Sequence, residues 1–323
     1  MLAADHTRNF TINTWVKNFA GTKQSLTNPL LWAVFILYVV LAGYTIAHHE
    51  MWGDEIHSWN IAKGSAGFSD LISNSRYEGH PPVWYIILWS VSKFTHNLEY
   101  VQAVHLIIAS LAVFLILFFS SFPLTTRILM PFGYFFLFEY AVISRNYAPA
   151  VLLVICICLV MRKHFRYKLL LYYFLLFLLS NTHVQAILLA ASLHLYFLLF
   201  TYEENKSKSN TTLHILLGIL IALPAVYFIF PPADSQLNTQ FWMDRWSIHR
   251  VTAFSQGPLR AFLPVPAWWN YHFWNTQFLI EAKNDHSLFR FINLFTAITL
   301  TLLAIFILKK NGKARYCLQQ TWY

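Results

Sequence analysis

The apolar segment Pro29–Ala47, PLLWAVFILYVVLAGYTIA, leads into the polar stretch Met51–Pro82, MWGDEIHSWNIAKGSAGFSDLISNSRYEGHPP. The apolar segment has no charged residue and is close to the roughly 20 residues that a helix needs to cross a bilayer. Its first residue, Pro29, suits the first turn of a helix. The polar stretch carries the acidic pair Asp54-Glu55 in a chain that is only 11% charged. This order predicts a membrane helix that leads directly into a polar loop at one membrane surface.

The composition of the whole chain predicts a polytopic helical membrane protein. The chain is 57% hydrophobic and 18% aromatic, with a mean hydropathy of +0.47, whereas soluble domains have roughly 45–50% apolar and about 25% charged residues. A net charge of +9 would suggest a nucleic-acid partner in a soluble protein. Here the basic residues fall in short loops and tails, so the positive-inside bias explains them better and no nucleic-acid partner is expected.

The basic clusters Arg162–Lys168, Lys206–Lys208 and Lys309–Arg315 predict the topology. All three lie in the cytoplasm if the short apolar segment 83–95 does not cross the membrane, and all three lie outside if it does. The positive-inside rule therefore favours a surface or re-entrant helix for 83–95. Eight spanning helices are then expected, at about 29–47, 100–121, 128–143, 147–161, 168–180, 184–200, 213–230 and 289–308.

This topology divides the chain into four parts. They are a cytoplasmic N-terminal segment (1–28), a transmembrane core (29–230) with a catalytic outer loop (48–82), a Trp/Pro-rich outer segment (231–288), and a last helix with a basic cytoplasmic tail (289–323). Both termini are expected in the cytoplasm. Within the outer loop, apolar residues recur at helical spacing in 56–62 and in 68–72, which predicts two short interfacial helices.

The outer loop and the outer turns hold the candidate functional residues. The Asp54-Glu55 pair is suited to general-base chemistry on a hydroxyl group or to a divalent cation, and the simpler alternative is a solvated loop pair. His80 is followed by two prolines that stiffen the chain. Arg145 lies in an outer turn, where its planar fork could bind a phosphate; the alternative is an arginine snorkelling at a helix end.

Further candidates face the same compartment or lie within the membrane. Tyr147 and His183 are in outer turns, and a lone histidine there is more often structural. Arg76 and Glu78 precede His80 and suit either a lipid headgroup or an ion pair with each other. Glu139 lies inside an apolar run, where a carboxylate is costly and usually faces a partner or an aqueous cavity.

The order of these features resembles the GT-C superfamily of integral-membrane glycosyltransferases. Its protein O-mannosyltransferase and aminoarabinose-transferase members are the most similar. The resemblance covers roughly residues 30–200, and YEGHPPVWY and SRNYA are similar to an uncharacterised bacterial branch. The matching residues are Asp54-Glu55, His80-Pro81-Pro82 and Ser144-Arg145-Asn146-Tyr147, with Asn181-Thr182-His183 a looser match.

The resemblance implies an all-α, GT-C-like fold in the bacterial plasma membrane. It also implies transfer of a sugar from a polyprenyl-phosphate carrier to a cell-envelope glycan, lipid or protein on the outer face. Asp54 would be the catalytic base, with Glu55 beside it, and Arg145 and then Arg76 would hold the lipid phosphate. His80, Tyr147 and His183 would complete the substrate-binding set, and Glu78 and Glu139 would line the cavity. No metal or other cofactor is required by these motifs, and a divalent cation at the acidic pair is the alternative.

Two other classes of function compete with this one. A transporter or lipid-carrier flippase is expected to show broken helices or internal repeats, and neither stands out in the sequence. A structural component of a polysaccharide-export complex would keep the scaffold without the chemistry. Both alternatives predict that replacing Asp54 or Arg145 has no effect that depends on a sugar donor.

Overall fold

The computed structural model describes residues 25–162, 165–200, 208–235, 298–299 and 302. These residues form helices and loops and include no β-strand. The helices of the compact unit Met1–Phe241 are α1 (Pro29–Ala47), α2 (Gly53–Gly64), α3 (Phe68–Arg76), α4 (Val83–Ser92), α5 (Leu98–Phe119), α6 (Leu124–Leu129), α7 (Tyr147–Met161), α8 (Lys168–Ser180), α9 (Val184–Phe200) and α10 (Lys208–Ile229). The expected cytoplasmic segment 1–28, the Trp/Pro-rich segment 231–288 and the last helix with its tail, 289–323, lie largely outside the described residues.

Three described helices are long and apolar enough to cross a membrane. They are α1, α5 and the Thr211–Ile229 part of α10. The apolar helices α4, α7, α8 and α9 are shorter, with 10–17 residues each. The chain is therefore all-helical in its described part and has the character of a membrane protein, whereas the expectation of eight spans stays a prediction.

Two expectations about the outer loop can be compared with the helix bounds. The periodicity in 56–62 and 68–72 predicts two short helices, and α2 and α3 occupy these positions. The segment 83–95, excluded as a span on charge grounds, forms the ten-residue α4. At about 1.5 Å per residue this helix is about 15 Å long, which is half of a hydrocarbon core of about 30 Å.

The predicted span 128–143 is wrong as a single helix. The chain forms the end of α6, a 3₁₀ turn at Met130–Phe132 and a π-helical turn at Phe135–Glu139. Pro131 lacks an amide hydrogen and Gly133 favours irregular backbone, so the pair interrupts the α-helical hydrogen-bond pattern.

Helix α1 packs along α5 through small residues. The side chain of Asn28 accepts a hydrogen bond from the Leu30 amide at 2.9 Å, which caps α1 just before Pro29. Ala42 and Ala109 are both buried in the cluster that joins α1 to α5. Small side chains let membrane helices approach closely and gain dispersion contacts. The packed pair of α1 and α5 therefore fixes the positions at which the loops after these two helices begin.

Two more buried clusters complete the scaffold. One joins α7, α8 and α9 around Ile157, Tyr172 and Leu176. The other joins α2 to α4 through Trp59 and Trp84 and includes residues of α3 and α5. The second cluster fixes α2 and α3 against α4 and α5.

Candidate active site

The two acidic residues at the start of α2 have different surroundings. Asp54 has a side chain that is 75% exposed, whereas Glu55 is buried, with 1% of its surface exposed. Both lie in the first helical turn, where the helix dipole favours negative charge. Because neighbouring residues of a helix point in different directions, one carboxylate faces the site opening and the other faces the protein interior.

Glu55 uses both carboxylate oxygens in hydrogen bonds. One oxygen accepts from the Trp52 amide at 2.8 Å and lies 2.9 Å from the His49 imidazole Nε2. The other accepts from the Ser144 amide at 2.6 Å. These contacts suit a residue that positions the loop, and a share of Glu55 in the catalytic chemistry stays a prediction.

The bond from Glu55 to Ser144 brings Asp54 and Arg145 side by side. The Arg145 Nη1 donates to Asp54 Oδ2 at 2.6 Å, and the arginine side chain is only 16% exposed. Five N–H donors belong to a guanidinium, so Arg145 can bind a further anion while it contacts Asp54. The two leading candidates from the sequence thus form one ion pair at the site opening.

His105 in α5 contacts the backbone of the turn that carries Arg145. Its ring nitrogens lie 3.1 Å from the Ala141 carbonyl oxygen and 3.2 Å from that of Arg145, and the side chain is completely buried. A neutral imidazole has one N–H and can donate to one of these oxygens at a time. Sequence reasoning missed His105, although a histidine inside the apolar run 100–121 was a usable signal.

His80 lies near the Asp54–Arg145 pair, His183 lies near His80, and both rings are neutral near pH 7. Burial lowers the pKa of His80, and the positive charge of Arg145 lowers it further against the opposing effect of Asp54. Burial, together with His80, lowers the pKa of His183 to about 4. The site therefore offers two uncharged imidazoles beside one guanidinium.

Backbone contacts hold these histidines in place. Gly79 has a φ of +65°, a conformation that glycine adopts without strain, and it turns the chain into His80. The Val83 amide donates to the Asn181 carbonyl at 3.1 Å. The ring of Tyr147 packs edge-on against His183, with centroids 5.2 Å apart. The loop before α4 and the turns before α7 and α9 therefore meet at one end of the scaffold.

Several buried polar atoms at this end have no hydrogen-bond partner among the described residues. Native proteins pair nearly all buried polar atoms, so an unpaired group needs an explanation such as a missing ligand or water. The atoms belong to the end of α3, the loop before α4, the first turn of α4 and the turn before α7, and they include two donors and an acceptor. They are Arg76 Nε, His80 Nδ1, Trp84 Nε1, Ser144 Oγ and Asn146 Oδ1.

The remaining predicted residues contact other parts of the protein. Arg76 lies with its guanidinium carbon 4.1 Å from the centre of the Tyr227 ring in α10. Glu78 Oε2 lies 2.8 Å from the His57 imidazole Nε2. Glu139 accepts a hydrogen bond from the Tyr134 hydroxyl at 3.1 Å. The structure therefore gives each of these three side chains a protein partner, and it gives Arg76 an anchoring contact with α10.

An apolar groove runs along one face of α7 from the site. We call it the α7 groove, and its volume is about 370 Å³. Tyr147 and His183 line one end, and Tyr147 follows Arg145 by two residues. The α7 side chains that line it recur every three or four residues, as one helix face requires: Tyr147, Ala150, Val151, Val154, Ile155, Cys158, Leu159 and Arg162. The sequence did not reveal the groove because its other wall comes from distant segments.

Comparison of the chain with protein-family models, curated proteins and solved structures finds no match. Among the residues that the structure describes, no group of three or more His, Cys, Asp or Glu side chains is placed to hold a metal ion. The chemistry of the site is therefore argued from its own residues and geometry.

Proposed function

We propose that the chain is a GT-C-like membrane glycosyltransferase that moves a sugar from a polyprenyl-phosphate carrier to an acceptor hydroxyl on the outer face of a bacterial plasma membrane. The observation that carries the proposal is the Asp54–Arg145 ion pair together with the unpaired buried polar atoms of His80, Ser144 and Asn146 around it. Tyr147, two residues after Arg145, lines the apolar α7 groove. A lipid-linked sugar has this combination of properties: a polar sugar, an anionic phosphate and a long apolar chain.

The phosphate of the donor fits the cationic side of the site. The Arg145 guanidinium can bind two phosphate oxygens through its planar fork. His80 is neutral and has a ring nitrogen without a partner among the described residues, so it can donate a hydrogen bond without adding charge. The lipid chain would enter the α7 groove alongside the rings of Tyr147 and His183, which contact each other and line the groove.

Donor binding would also free the catalytic base. Asp54 is held by Arg145 at 2.6 Å, and a phosphate that takes over part of this guanidinium weakens its contact with the carboxylate. Asp54 then accepts the proton of the acceptor hydroxyl. The acceptor oxygen bonds to the anomeric carbon as the bond from that carbon to the phosphate oxygen breaks, which inverts the configuration. Arg145 stabilises the charge on the departing polyprenyl phosphate.

Donor retention tests the phosphate-binding part of this proposal. We expect the purified chain to retain polyprenyl phosphate, measured by mass spectrometry of extracted lipid. Arg145→Gln should retain at most about one tenth of the wild-type amount of polyprenyl phosphate, because hydrogen bonds to a charged group are worth roughly 1.5–3 kcal/mol. Arg145→Lys should lie between the two, since lysine keeps the charge and loses the fork.

Arg166→Gln is the matched control. Arg166 lies in the loop before α8, where its guanidinium packs over the Tyr167 ring, and the variant should retain polyprenyl phosphate as the wild type does. Equal retention by Arg145→Gln and Arg166→Gln would reject Arg145 as the phosphate ligand. It would then favour the structural component of an export complex as the better explanation of the scaffold.

A further inference from the structure

The α7 groove has a second polar end, at Arg162. His105 of α5 contacts the carbonyl oxygen of Arg145, and from these points α5 and α7 both continue for about four turns, to Ser120 and Arg162. Ser120, Ser121 and Arg162 all line the groove. Among the described groove-lining residues, Arg162 alone carries a permanent charge. The groove therefore ends in a guanidinium and two hydroxyl groups.

The part of α7 that lines the groove is longer than the depth of one leaflet. Helix α7 has 15 residues, which correspond to about 22 Å at about 1.5 Å per residue. The hydrocarbon core of a bilayer is about 30 Å thick, so one leaflet supplies roughly 15 Å. A lipid that enters at the Tyr147 end from one leaflet therefore meets, further along the same groove, space that belongs to the opposite leaflet.

The chemistry of the Arg162 end selects an anion. A hydrocarbon tail against a guanidinium would remove water from the charge without supplying a partner, which is costly. A phosphodiester supplies oxygens that a guanidinium binds bidentately and that serine hydroxyls can also reach. The apolar wall formed by Val154 and Ile155 suits the acyl chain attached to such a headgroup.

We propose that the Arg162 end of the α7 groove binds an anionic phospholipid of the leaflet on that side. Its phosphate lies on Arg162 with the hydroxyl of Ser121, and one acyl chain occupies the groove beside Ile155. This site differs from the donor site at Arg145 and does not depend on sugar transfer. The phospholipid closes the part of the groove that a donor from the other leaflet leaves empty, and it thereby supports the packing of α7 against α5.

Phospholipid binding by the purified full chain tests the proposal. The detergent-solubilised protein is titrated with phosphatidylglycerol or with phosphatidylcholine of identical acyl chains, and bound lipid is counted by native mass spectrometry. The wild type should bind one phosphatidylglycerol at least about tenfold more tightly than phosphatidylcholine, and Arg162→Gln should lose this preference. Arg166 lies in the following loop and is not among the residues that line the groove. The control variant Arg166→Gln should therefore keep the preference for phosphatidylglycerol.

A second variant separates the groove from a general effect of charge. Ile155→Trp fills the groove and leaves Arg162 in place, so it should lower the binding of both phospholipids. Equal behaviour of Arg162→Gln and Arg166→Gln, or equal wild-type affinity for the two phospholipids, would overturn the proposal. A loss of polyprenyl phosphate in Arg162→Gln as large as the loss of phosphatidylglycerol would assign this end to the donor tail and would also overturn it.

Binding of phosphatidylglycerol at Arg162 does not depend on binding of the donor at Arg145. Arg145→Gln should lose polyprenyl phosphate and keep phosphatidylglycerol, whereas Arg162→Gln should do the reverse. A chain that binds phosphatidylglycerol through Arg162 but never retains polyprenyl phosphate would support this inference and count against the proposed function.

Discussion

Two adjacent carboxylates at the start of α2 have separate tasks because one is buried and the other is not. Glu55 contacts the Trp52 amide, the His49 ring and the Ser144 amide, and through Ser144 it sets the position of Arg145. Asp54, exposed at the site opening, contacts Arg145 directly. A buried carboxylate that lost these partners would be left unpaired, at a cost of several kcal/mol.

The buried His183 predicts a loss of stability in acid. Its pKa falls from 6.5 to about 4 in the folded chain, so the unfolded chain binds the proton at higher pH. The stabilisation from the neutral ring is complete above about pH 6.5 and is lost as the pH falls towards about 4. His183→Gln should therefore show a shallower fall in Tm between about pH 7 and about pH 5 than the wild type.

Thermal unfolding in detergent at a series of pH values measures this difference. His96→Gln serves as the control, because His96 is an exposed residue of the loop before α5 and its replacement should leave the pH dependence unchanged. Parallel Tm curves for the wild type and His183→Gln would show that His183 is not a buried neutral group.

The residues that could be predicted are those with a local signature. Asp54, Arg145 and His183 follow apolar helices and stand out in a chain with few charges, and the structure brings the first two into contact. The different surroundings of Asp54 and Glu55 could not be predicted. They depend on which carboxylate contacts Ser144, which lies 89 positions after Glu55. The role of His105 likewise depends on the distant turn at Ala141.

The helix boundaries that could be predicted are likewise those with a local signature in the sequence. Asn28 and Pro29 mark the start of α1, and apolar residues at helical spacing predicted α2 and α3. The segment 128–143 was predicted as one helix because its hydropathy is high, but Pro131 and Gly133 divide it into short turns. Hydropathy reports burial in a membrane, whereas backbone restrictions decide whether a helix continues.

A cluster of tyrosines and histidines ties α8, α9 and α10 together and yields a prediction about Gly218. His194 lies 3.1 Å from the Tyr172 hydroxyl and 3.0 Å from the carbonyl oxygen of His214. A Cβ atom at Gly218 would overlap the His194 ring. Gly218→Ala should therefore destabilise the chain by roughly 1–3 kcal/mol, the usual cost of overpacking.

Thermal unfolding of variants in detergent tests this cluster. Gly64→Ala is the matched control, because a Cβ atom there meets nothing within 4 Å. If the ring of His194 causes the effect, combining Gly218→Ala with His194→Ala should cost less than the sum of the two single replacements. Strict additivity would remove His194 as the cause.

The loops that precede α4, α7 and α9 meet at one end of the helices, although they are far apart in sequence. The contact between Asp54 and Arg145 joins the first loop to the turn before α7. A further bond links the Tyr77 hydroxyl to Asp234, beyond α10, at 3.0 Å. Their contacts show that these loops lie at one end of the described helices, and the shared compartment that charge counting predicts stays a prediction.

Which side of the membrane this end faces is a prediction with a direct test. A reporter fused at Asn97, in the loop between α4 and α5, should report an external location, and one fused at Lys206 should report the cytoplasm, as the positive-inside rule requires. A cytoplasmic signal at Asn97 would mean that the segment 83–95 crosses the membrane and that the topology is inverted from there onward.

We propose that Asp54 acts as the base that activates an acceptor for attack on a lipid-linked sugar. The most direct measurement is the release of polyprenyl phosphate from a panel of polyprenyl-phosphate sugars by the purified chain in lipid nanodiscs, with water as the acceptor of the sugar. Asp54→Asn should slow release by at least about a hundredfold, the usual contribution of a general base, while it still retains the donor. Asp70→Asn, which neutralises an exposed aspartate at the start of α3, should be fully active. Full activity of Asp54→Asn would contradict the account.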